Sequence, residues 1–466
     1  MVVYKFGGAL GRSRRGLDAL VKIVREAARR ETTRMHRSKR SGEIHGVVLV
    51  ASAIGHTTRH LARAAELAED GRLEEAEELL GRAVAQHEQL AISLGLGEDD
   101  LFEELESILR DVASLLEGIT IVREVSQRTR DAVLACGERF AIALIEALLT
   151  YHDLPVRTVD AKEVIVTDEN FGYAAPITEE VSKAVHKVIV PQLKRGHIVL
   201  LQGFVGATRD GITTTMGSES SDLTATLVAS VLRAEEVVIW KTLPGLYTAD
   251  PELVKSPKLI KSLSFEEAEE MGRRGARVLF PAFAHPLTQD EHETIVRIAT
   301  PFGKSSHHTV LQREPPRSTG TRSGLALAIE QRLIPIVVRE SGRSAGAGAH
   351  QREARAQKAL ARAAMTWRSQ SETHALIRRE DRRSIVRDLT AGGYSITESA
   401  PQSALSLILR KRSTEDDGST LSAITRSLRS FPIQAIVPAG RSLITLVNDS
   451  EGLSALRKLH HDLFET

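Results

Sequence analysis

A single cysteine, Cys136, stands in a chain of 466 residues. No disulfide can form within the chain, so the expected setting is a reducing one. Cys136 has apolar neighbours and no activating base near it in sequence, which reads as a core thiol rather than a nucleophile. Aromatic residues are scarce, at 4%, so the core must be built from Leu, Ile, Val and Ala. No charge of one sign dominates: 62 Lys and Arg stand against 61 Asp and Glu. Such a balance sets up no long-range field toward nucleic acid or an anionic membrane. No apolar run approaches the roughly 20 residues that span a bilayer. The opening MVVYKFGG enters a strand-like run at once, without a charged leader or cleavage signal. The expectation is a cytoplasmic protein with neither a nucleic-acid nor a membrane partner. Metal-ligand spacing is missing too. His307-His308 and His460-His461 are adjacent pairs whose side chains point apart, so no metal site is expected.

What is present is alternation. Val2–Phe6, Gly46–Ala53, Val156–Val159, His197–Gln202, Glu236–Trp240 and Thr294–Ile298 read as strands. Helical patterns separate them, at Gly16–Arg29 and through 59–117. In the latter Leu101, Leu105, Ile108, Leu109, Val112, Leu115 and Leu116 form a 3.6-period stripe. That order predicts a mostly parallel sheet covered by helices on both faces. Arg29–Arg40 is basic and aperiodic and reads as a solvated loop. Residues 303–323 are polar and contain proline, which predicts a linker. Beyond them Ala404–Lys411, Pro432–Val437 and Ser442–Asn448 are strand-like, Thr420–Leu428 is helix-like, and Leu453–Leu463 marks a terminal amphipathic helix. This β-α-β-β-α order suggests a ferredoxin-like module, with Ile334–Arg339 as the candidate for its closing strand.

Three glycine-bearing turns follow strands: Gly7-Gly8, Gly55 and Gly203–Gly206. Glycine there serves either a tight βα turn or a backbone cradle for phosphate. Lys5 precedes the first pair inside an apolar strand, where an unpaired cation is costly, so it must leave the strand end or meet an anion. Thr213-Thr214-Thr215 and Ser220-Ser221-Asp222 gather hydroxyls and a carboxylate before a helix. They can cap that helix or orient an acceptor and magnesium-bound phosphates.

Several segments together resemble the aspartokinases. They are KFGG at Lys5–Gly8, VASAIGHTT at Val50–Thr58, TRDAVLACGERF at Thr129–Phe140 and TDENFG at Thr167–Gly172. QGFVGATRDGITTTMG at Gln202–Gly217, IWKTLPGLYTADP at Ile239–Pro251 and GARVLFP at Gly275–Pro281 continue the series. SQSETHALI at Ser369–Ile377 resembles the end of a first ACT module, and LITLVNDSEGLSALRKLHHDLF at Leu443–Phe464 the end of a second. The resemblance implies a three-layer amino-acid kinase domain over 1–302, the linker at 303–323, and paired ACT-like ferredoxin-like regulatory modules over 324–466. It implies ATP and magnesium as cofactors and phosphorylation of the side-chain carboxylate of aspartate, the first step toward lysine, threonine and methionine. Lys5, Gly7 and Gly8 would bind the β- and γ-phosphates. Ser52 and Thr57 would lie near the transferred phosphoryl group and aspartate, Glu138 would hold the amino group of aspartate, and Phe171 would pack beside it. Ser221 and Asp222 would sit at the reaction centre. Pro244, Gly245, Tyr247 and Arg277 would surround the nucleotide. An amino-acid effector at the tail and a homodimer are further implications.

The chain departs from the family at several of these positions. The family usually carries Arg, then Gly or Glu, then Gly before the Ser-Asp pair, and this chain reads Ser218-Glu219-Ser220. The arginine resembles a clamp for the substrate carboxylate, worth about 1.5–3 kcal/mol, which Arg209 or Arg130 would have to replace. Thr242 stands for a usual Asp, Arg277 for Lys, Phe280 for His, and Ala9-Leu10 for Thr-Ser. The departures admit a kinase with another acceptor, or a weak paralogue acting as a regulatory subunit. The one glycine-rich stretch of the tail, Ser341–His350, does not match an effector loop.

Overall fold

The computed structural model describes residues 1–37, 44–97, 99–275, 282–288, 292–303, 307–315, 324–340, 349–369, 372–379, 381–410 and 414–465. They form two compact units. The first holds Met1–Leu246, Leu259–Glu269 and Val278–Arg317; the second holds Tyr247–Lys258, Glu270–Arg277 and Ser318–Thr466. The division is therefore not one cut near 302.

In chain order the first unit carries β1 (Val2–Phe6), α1 (Gly8–Gly11), α2 (Arg14–Arg37), β2 (Val47–Ala51), α3 (Thr57–Glu69), α4 (Leu73–Leu94), α5 (Asp99–Val122) and α6 (Gln127–Tyr151). Next come β3 (Val156–Val159), α7 (Thr178–Lys194), β4 (Ile198–Gln202), β5 (Val205–Ala207), β6 (Thr213–Thr215), α8 (Ser221–Leu232) and β7 (Glu236–Trp240). β8 (Ser262–Ser264), α9 (Phe265–Arg273, of which the part up to Glu269 is in this unit), α10 (His285–Thr288), β9 (Ile295–Ala299) and β10 (His308–Gln312) follow. One sheet has the order β3-β4-β2-β1-β7-β9-β10-β8, and β5 and β6 form a separate hairpin. Every pairing in the large sheet is parallel except β9 with β10. The central strands β1, β2 and β4 are buried along their whole length, as apolar runs sandwiched between helices must be. On α5, Leu101, Leu105, Ile108, Val112 and Leu116 are buried in the main core, with Leu109 and Leu115 packed partly against it.

Two expectations fail here. Residues 29–37 are not a loop, because α2 runs on to Arg37. Thr32 and Thr33 bond back to the carbonyls of Ala28 and Arg29, and buried Glu31 pairs with Arg34 and the Met1 ammonium. A charge run thus hid one buried carboxylate, and residues 38–40 lie outside the described residues. The stretch 303–323 is not all linker either: His308–Gln312 is β10, inside the sheet between β9 and β8. Two adjacent histidines and flanking polar residues masked its short alternation.

The second unit is built around β11 (Gly324–Glu340), followed by α11 (Ala349–Leu360), β12 (Met365–Ser369), β13 (Glu372–Ile377), α12 (Arg382–Ala391) and β14 (Tyr394–Glu398). β15 (Gln402–Leu409), α13 (Thr414–Ser427), β16 (Ile433–Ala439), β17 (Ser442–Asn448) and α14 (Gly452–His460) complete it. The C-terminal half of β11 pairs with β13 and β14, and its N-terminal half pairs with β15. One long strand therefore serves two ferredoxin-like modules. The closing strand of the second module is the 324–333 half, while Ile334–Arg339 opens the first. Ser369–Ile377 is likewise not the end of the first module, since α12 and β14 follow it. Leu405, Leu407, Leu443, Val447, Leu456 and Leu459 form one core, which Ala249 and Val254 join. Ile336, Val338, Ala375, Ile377, Ile385 and Leu389 form another. Of the glycine-rich stretch Ser341–His350, residues 341–348 lie outside the described residues.

Candidate functional site

Parallel strands gather their carboxyl ends on one side of a sheet, which is where open α/β sheets bind ligands. Lys5 sits one residue from the end of β1, 7% exposed within a strand buried throughout. Its ammonium is 2.9 Å from Oδ1 of Asp222. Asp222 is fully buried in the first turn of α8, a position where the helix dipole favours a carboxylate. On the other side, the Lys241 ammonium donates to Asp222 Oδ2 at 3.2 Å. Burial works to raise the Asp222 carboxyl, but Lys241 and Lys5 outweigh it and hold the group below its ordinary value. Burial depresses the Lys241 ammonium, Asp222 opposes that, and Lys5 adds to it; the net shift is downward.

The Gly7 amide donates to the carbonyl of Trp240 at 3.1 Å, so the turn after β1 lies beside the end of β7. A side chain at Gly8 would collide with the Ala53 carbonyl, which makes glycine obligatory there for packing alone. Glu138, on α6, is 3% exposed and accepts the Ala53 amide on Oε1 at 3.2 Å. Burial pushes its carboxyl up to about 8, against the pull of the Ala53 amide, its own amide and Lys5. Among the described residues, Glu138 Oε2, Ser52 Oγ and Ser220 Oγ are buried without hydrogen-bond partners. Orphaned polar atoms of this kind cost about 1–3 kcal/mol each and concentrate where a ligand supplies the missing bond. Thr57 is different: its hydroxyl already donates to the Ile54 carbonyl at 2.7 Å, at the start of α3.

Phe171 lies on the loop between β3 and α7, and that loop is gripped by Asp131. This fully buried carboxylate accepts the amides of Gly172 at 2.8 Å and Thr215 at 2.9 Å and the Thr215 hydroxyl at 2.7 Å. Burial raises the Asp131 carboxyl despite these bonds. The Thr214 hydroxyl pairs with that of Thr167 at 2.7 Å. Two of the three threonines thus hold the hairpin and loop in place. Ser220 is the N-cap residue of α8, yet its side chain makes no capping bond. Ser221, the first helical residue, is 3% exposed.

The nucleotide-side residues divide. Gly245 is buried against β10, where a side chain would strike the Thr309 hydroxyl, and the Leu246 amide donates to Thr309 Oγ1 at 2.8 Å. Pro244 precedes it in the same loop. Tyr247 belongs to the second unit. Arg277 and Phe280 lie outside the described residues. Arg209 is taken up by Glu180 at 2.6 Å, and Arg130 lies 4.0 Å from Glu66. Ser218 is exposed, and Glu219 beside it adopts a left-handed φ of 67°.

Sequence reasoning missed Lys241 and Asp131, though both carried a signal. Lys241 follows an apolar strand just as Lys5 ends one. Asp131 precedes Glu138 by two helical turns, which places both on one face of α6.

A kinase-type α/β layer with two lysines on one buried carboxylate at the strand ends is what the first unit presents. The amino acid kinase family profile matches residues 1–297, and the chain belongs to that family. It is 33% identical over 224 residues to the lysine-sensitive aspartokinase 3 of Escherichia coli, covering 43% of this chain and 50% of that one. With the chloroplastic aspartokinase 2 of Arabidopsis thaliana the figures are 29% over 292 residues, 62% and 53%. The chain thus spans about half the length of the curated relatives it matches. The solved structure of E. coli aspartokinase III in complex with aspartate and ADP superposes with a TM-score of 0.81 at 24% identity, covering 100% of both chains. The overall fold, second unit included, is that fold.

Proposed function

We propose that this protein transfers the γ-phosphoryl group of ATP to the side-chain carboxylate of L-aspartate, yielding 4-phospho-L-aspartate and ADP. The observation that carries the reading is the Lys5–Asp222 pair at 2.9 Å beside the Gly7-Gly8 turn, next to a buried glutamate with one oxygen unsatisfied. Lys5 neutralises the β- and γ-phosphates at the Gly7-Gly8 turn, and Asp222 fixes the lysine that does so. Ionised Glu138 receives the substrate ammonium on Oε2, a charge-assisted bond. Ser52 and Thr57 flank the transferred group, Phe171 covers the substrate, and Ser221 lines the reaction centre. Pro244 and Gly245 serve the nucleotide. A carboxylate oxygen of aspartate attacks the γ-phosphorus as the bond to the β–γ bridging oxygen breaks, and ADP leaves with that electron pair. The protein's share is positioning and charge neutralisation.

Both oxygens of Asp222 face ammonium groups, so this carboxylate does not fit as a magnesium ligand. Magnesium would arrive with the phosphates of ATP.

One observation favours a second reading, a kinase with another acceptor. Ser218 supplies no clamp for a second carboxylate, and Arg209 is engaged by Glu180. The second unit, with two ferredoxin-like modules, suits an amino-acid effector. Its edge strands β12 and β16 suit pairing into a homodimer. No helix among the described residues is long and apolar enough to cross a membrane, and the cytoplasm remains the compartment we assign.

The test is incubation of the full chain with MgATP and a panel of amino acids, trapping acyl phosphate with hydroxylamine. Aspartate-dependent hydroxamate supports the first reading. Signal with another acid alone supports the second. Silence with every acid, together with amino-acid binding, leaves a regulatory subunit.

A further inference from the structure

We propose that the first unit carries a second ligand site, apart from the reaction centre, which binds a small diamino acid. It is the cavity of about 510 Å³ bounded by α5, α6, the edge strand β3 and the β5–β6 hairpin. Small-molecule sites commonly have volumes of roughly 300–1,000 Å³. The cavity has its own face of α6. Ala132, Cys136, Arg139, Ala143 and Glu146 line it, and their i, i+4, i+7, i+11, i+14 spacing sets them along one stripe, beside the stripe that holds Asp131 and Glu138.

The inner end holds hydrogen-bonding groups with nothing to bond. Gln202, which ends β4, is 7% exposed and lines the cavity. Its Oε1 accepts the Ala161 amide at 2.7 Å. Its Nε2 donates to no protein atom among the described residues. The Thr158 hydroxyl, on β3 and also in the cavity wall, is buried without a partner. An amide NH2 only donates, and a hydroxyl can donate too, so the matching group on a ligand is an acceptor such as a carboxylate. Groups left unbonded in a buried wall cost about 1–3 kcal/mol each, and folded proteins keep few of them.

The mouth carries charge of one sign. Arg139 is matched by Asp111 at 2.6 Å and Lys162 by Asp160 at 3.4 Å, and all four line the cavity. Glu104 on α5 and Glu146 on α6 line it as well, and neither has an ion-pair partner among the described residues. Two cations are thus cancelled by two aspartates, and the two glutamates are left over. A ligand with two ammonium groups answers both glutamates while its carboxylate reaches Gln202 and Thr158. A diamino acid has all three groups. A dicarboxylic amino acid such as aspartate meets uncompensated negative charge at the opening and is turned away, which separates this site from the acceptor site.

The experiment measures calorimetric binding of L-ornithine and of putrescine, which is ornithine without its carboxyl group, to the full chain. Wild type is compared with Gln202→Glu, Thr158→Val and Glu146→Gln. Gln202→Glu keeps an oxygen for the Ala161 amide and replaces the unbonded donor by an acceptor. Ornithine should bind wild type, about 10- to 150-fold more weakly to Gln202→Glu, and about tenfold more weakly to Thr158→Val and to Glu146→Gln. Putrescine should bind wild type at least about tenfold more weakly than ornithine does, and Gln202→Glu should not weaken it. Wild type that binds no ornithine overturns the proposal. So does unchanged ornithine binding in a folded Gln202→Glu or Glu146→Gln protein, which would put the ligand elsewhere, the second unit included. Putrescine bound as tightly as ornithine overturns the amino-acid assignment. A thermal melt shows which variants fold, and Thr158→Val decides for the inner end if Gln202→Glu does not. Silence in the hydroxamate assay would sink the phosphotransferase reading alone, because ornithine binding is read without turnover.

Discussion

The Ala53 amide donates to Glu138 Oε1 at 3.2 Å. This single bond joins the end of β2 to the middle of α6 and leaves Oε2 buried with no partner. One half of the carboxyl holds the scaffold together and the other half is left unsatisfied.

The titration of Glu138 gives the first prediction. Its carboxyl is raised to about 8 by burial, so near neutrality the free protein holds it mostly protonated, whereas an ammonium ligand needs it ionised. Aspartate affinity should therefore strengthen as pH rises from 6.5 toward 8.5, and Glu138→Gln should flatten that dependence while weakening binding about 10- to 150-fold. Stability runs the other way. A carboxyl whose folded value lies above its unfolded one contributes most below the unfolded value, and that contribution is lost as pH climbs through about 8. The ligand-free Tm should fall across this window in wild type and less in Glu138→Gln. Identical pH profiles for the two proteins would refute the assignment.

Removing Lys5 tests the charge centre. Lys5→Met should lower kcat about 10²–10³-fold with the fold intact. Asp222→Ala should also destabilise the protein, by about 3–5 kcal/mol, because it strands two partly buried ammonium groups. Chemical denaturation separates the two effects. A fully active Lys5→Met protein would place phosphate elsewhere.

Asp131 acts as a positioning residue through the Phe171 loop. Asp131→Asn keeps the size but replaces one acceptor oxygen by an NH2 donor facing the groups of Gly172 and Thr215 that now donate to it. Aspartate KM should rise about tenfold with kcat changed far less, since uniform binding is what loosens. Equal losses in kcat and kcat/KM would instead show a direct part in the chemistry.

In the second unit, His460 is fully buried. It pairs with the Thr248 hydroxyl at 3.0 Å and Glu465 at 2.9 Å and stacks on Phe464 with ring centroids 5.1 Å apart. His460→Ala should cost about 2–4 kcal/mol through a cavity and orphaned polar groups, read as a lowered denaturation midpoint. His460→Phe should restore volume but not the bond to Thr248. A midpoint unchanged in both variants would exclude a structural role.

Much of the first unit was legible along the chain. Lys5, standing in the apolar run Val2–Phe6, announced either an exit at the strand end or an anion, and the run GVVLVASA announced a strand covered on both faces. β10 escaped because His308–Gln312 is short, and one of its two partners, β8, lies far from it in sequence. The division of β11 between two modules escaped for a related reason: periodicity shows that a stretch is a strand, not which strands lie beside each half.

The sequence by itself determined the elements, the family motifs and which residue types were out of place in apolar surroundings, because periodicity and the cost of burying charge act locally. Only the tertiary structure decided which carboxylate answers which cation. Asp222 meets Lys5 and Lys241 because parallel pairing sets the ends of β1 and β7 side by side against α8, and Asp131 meets Gly172 and Thr215 because α6 packs against the β5–β6 hairpin. That pairing is set by packing across the whole sheet, which no local stretch encodes.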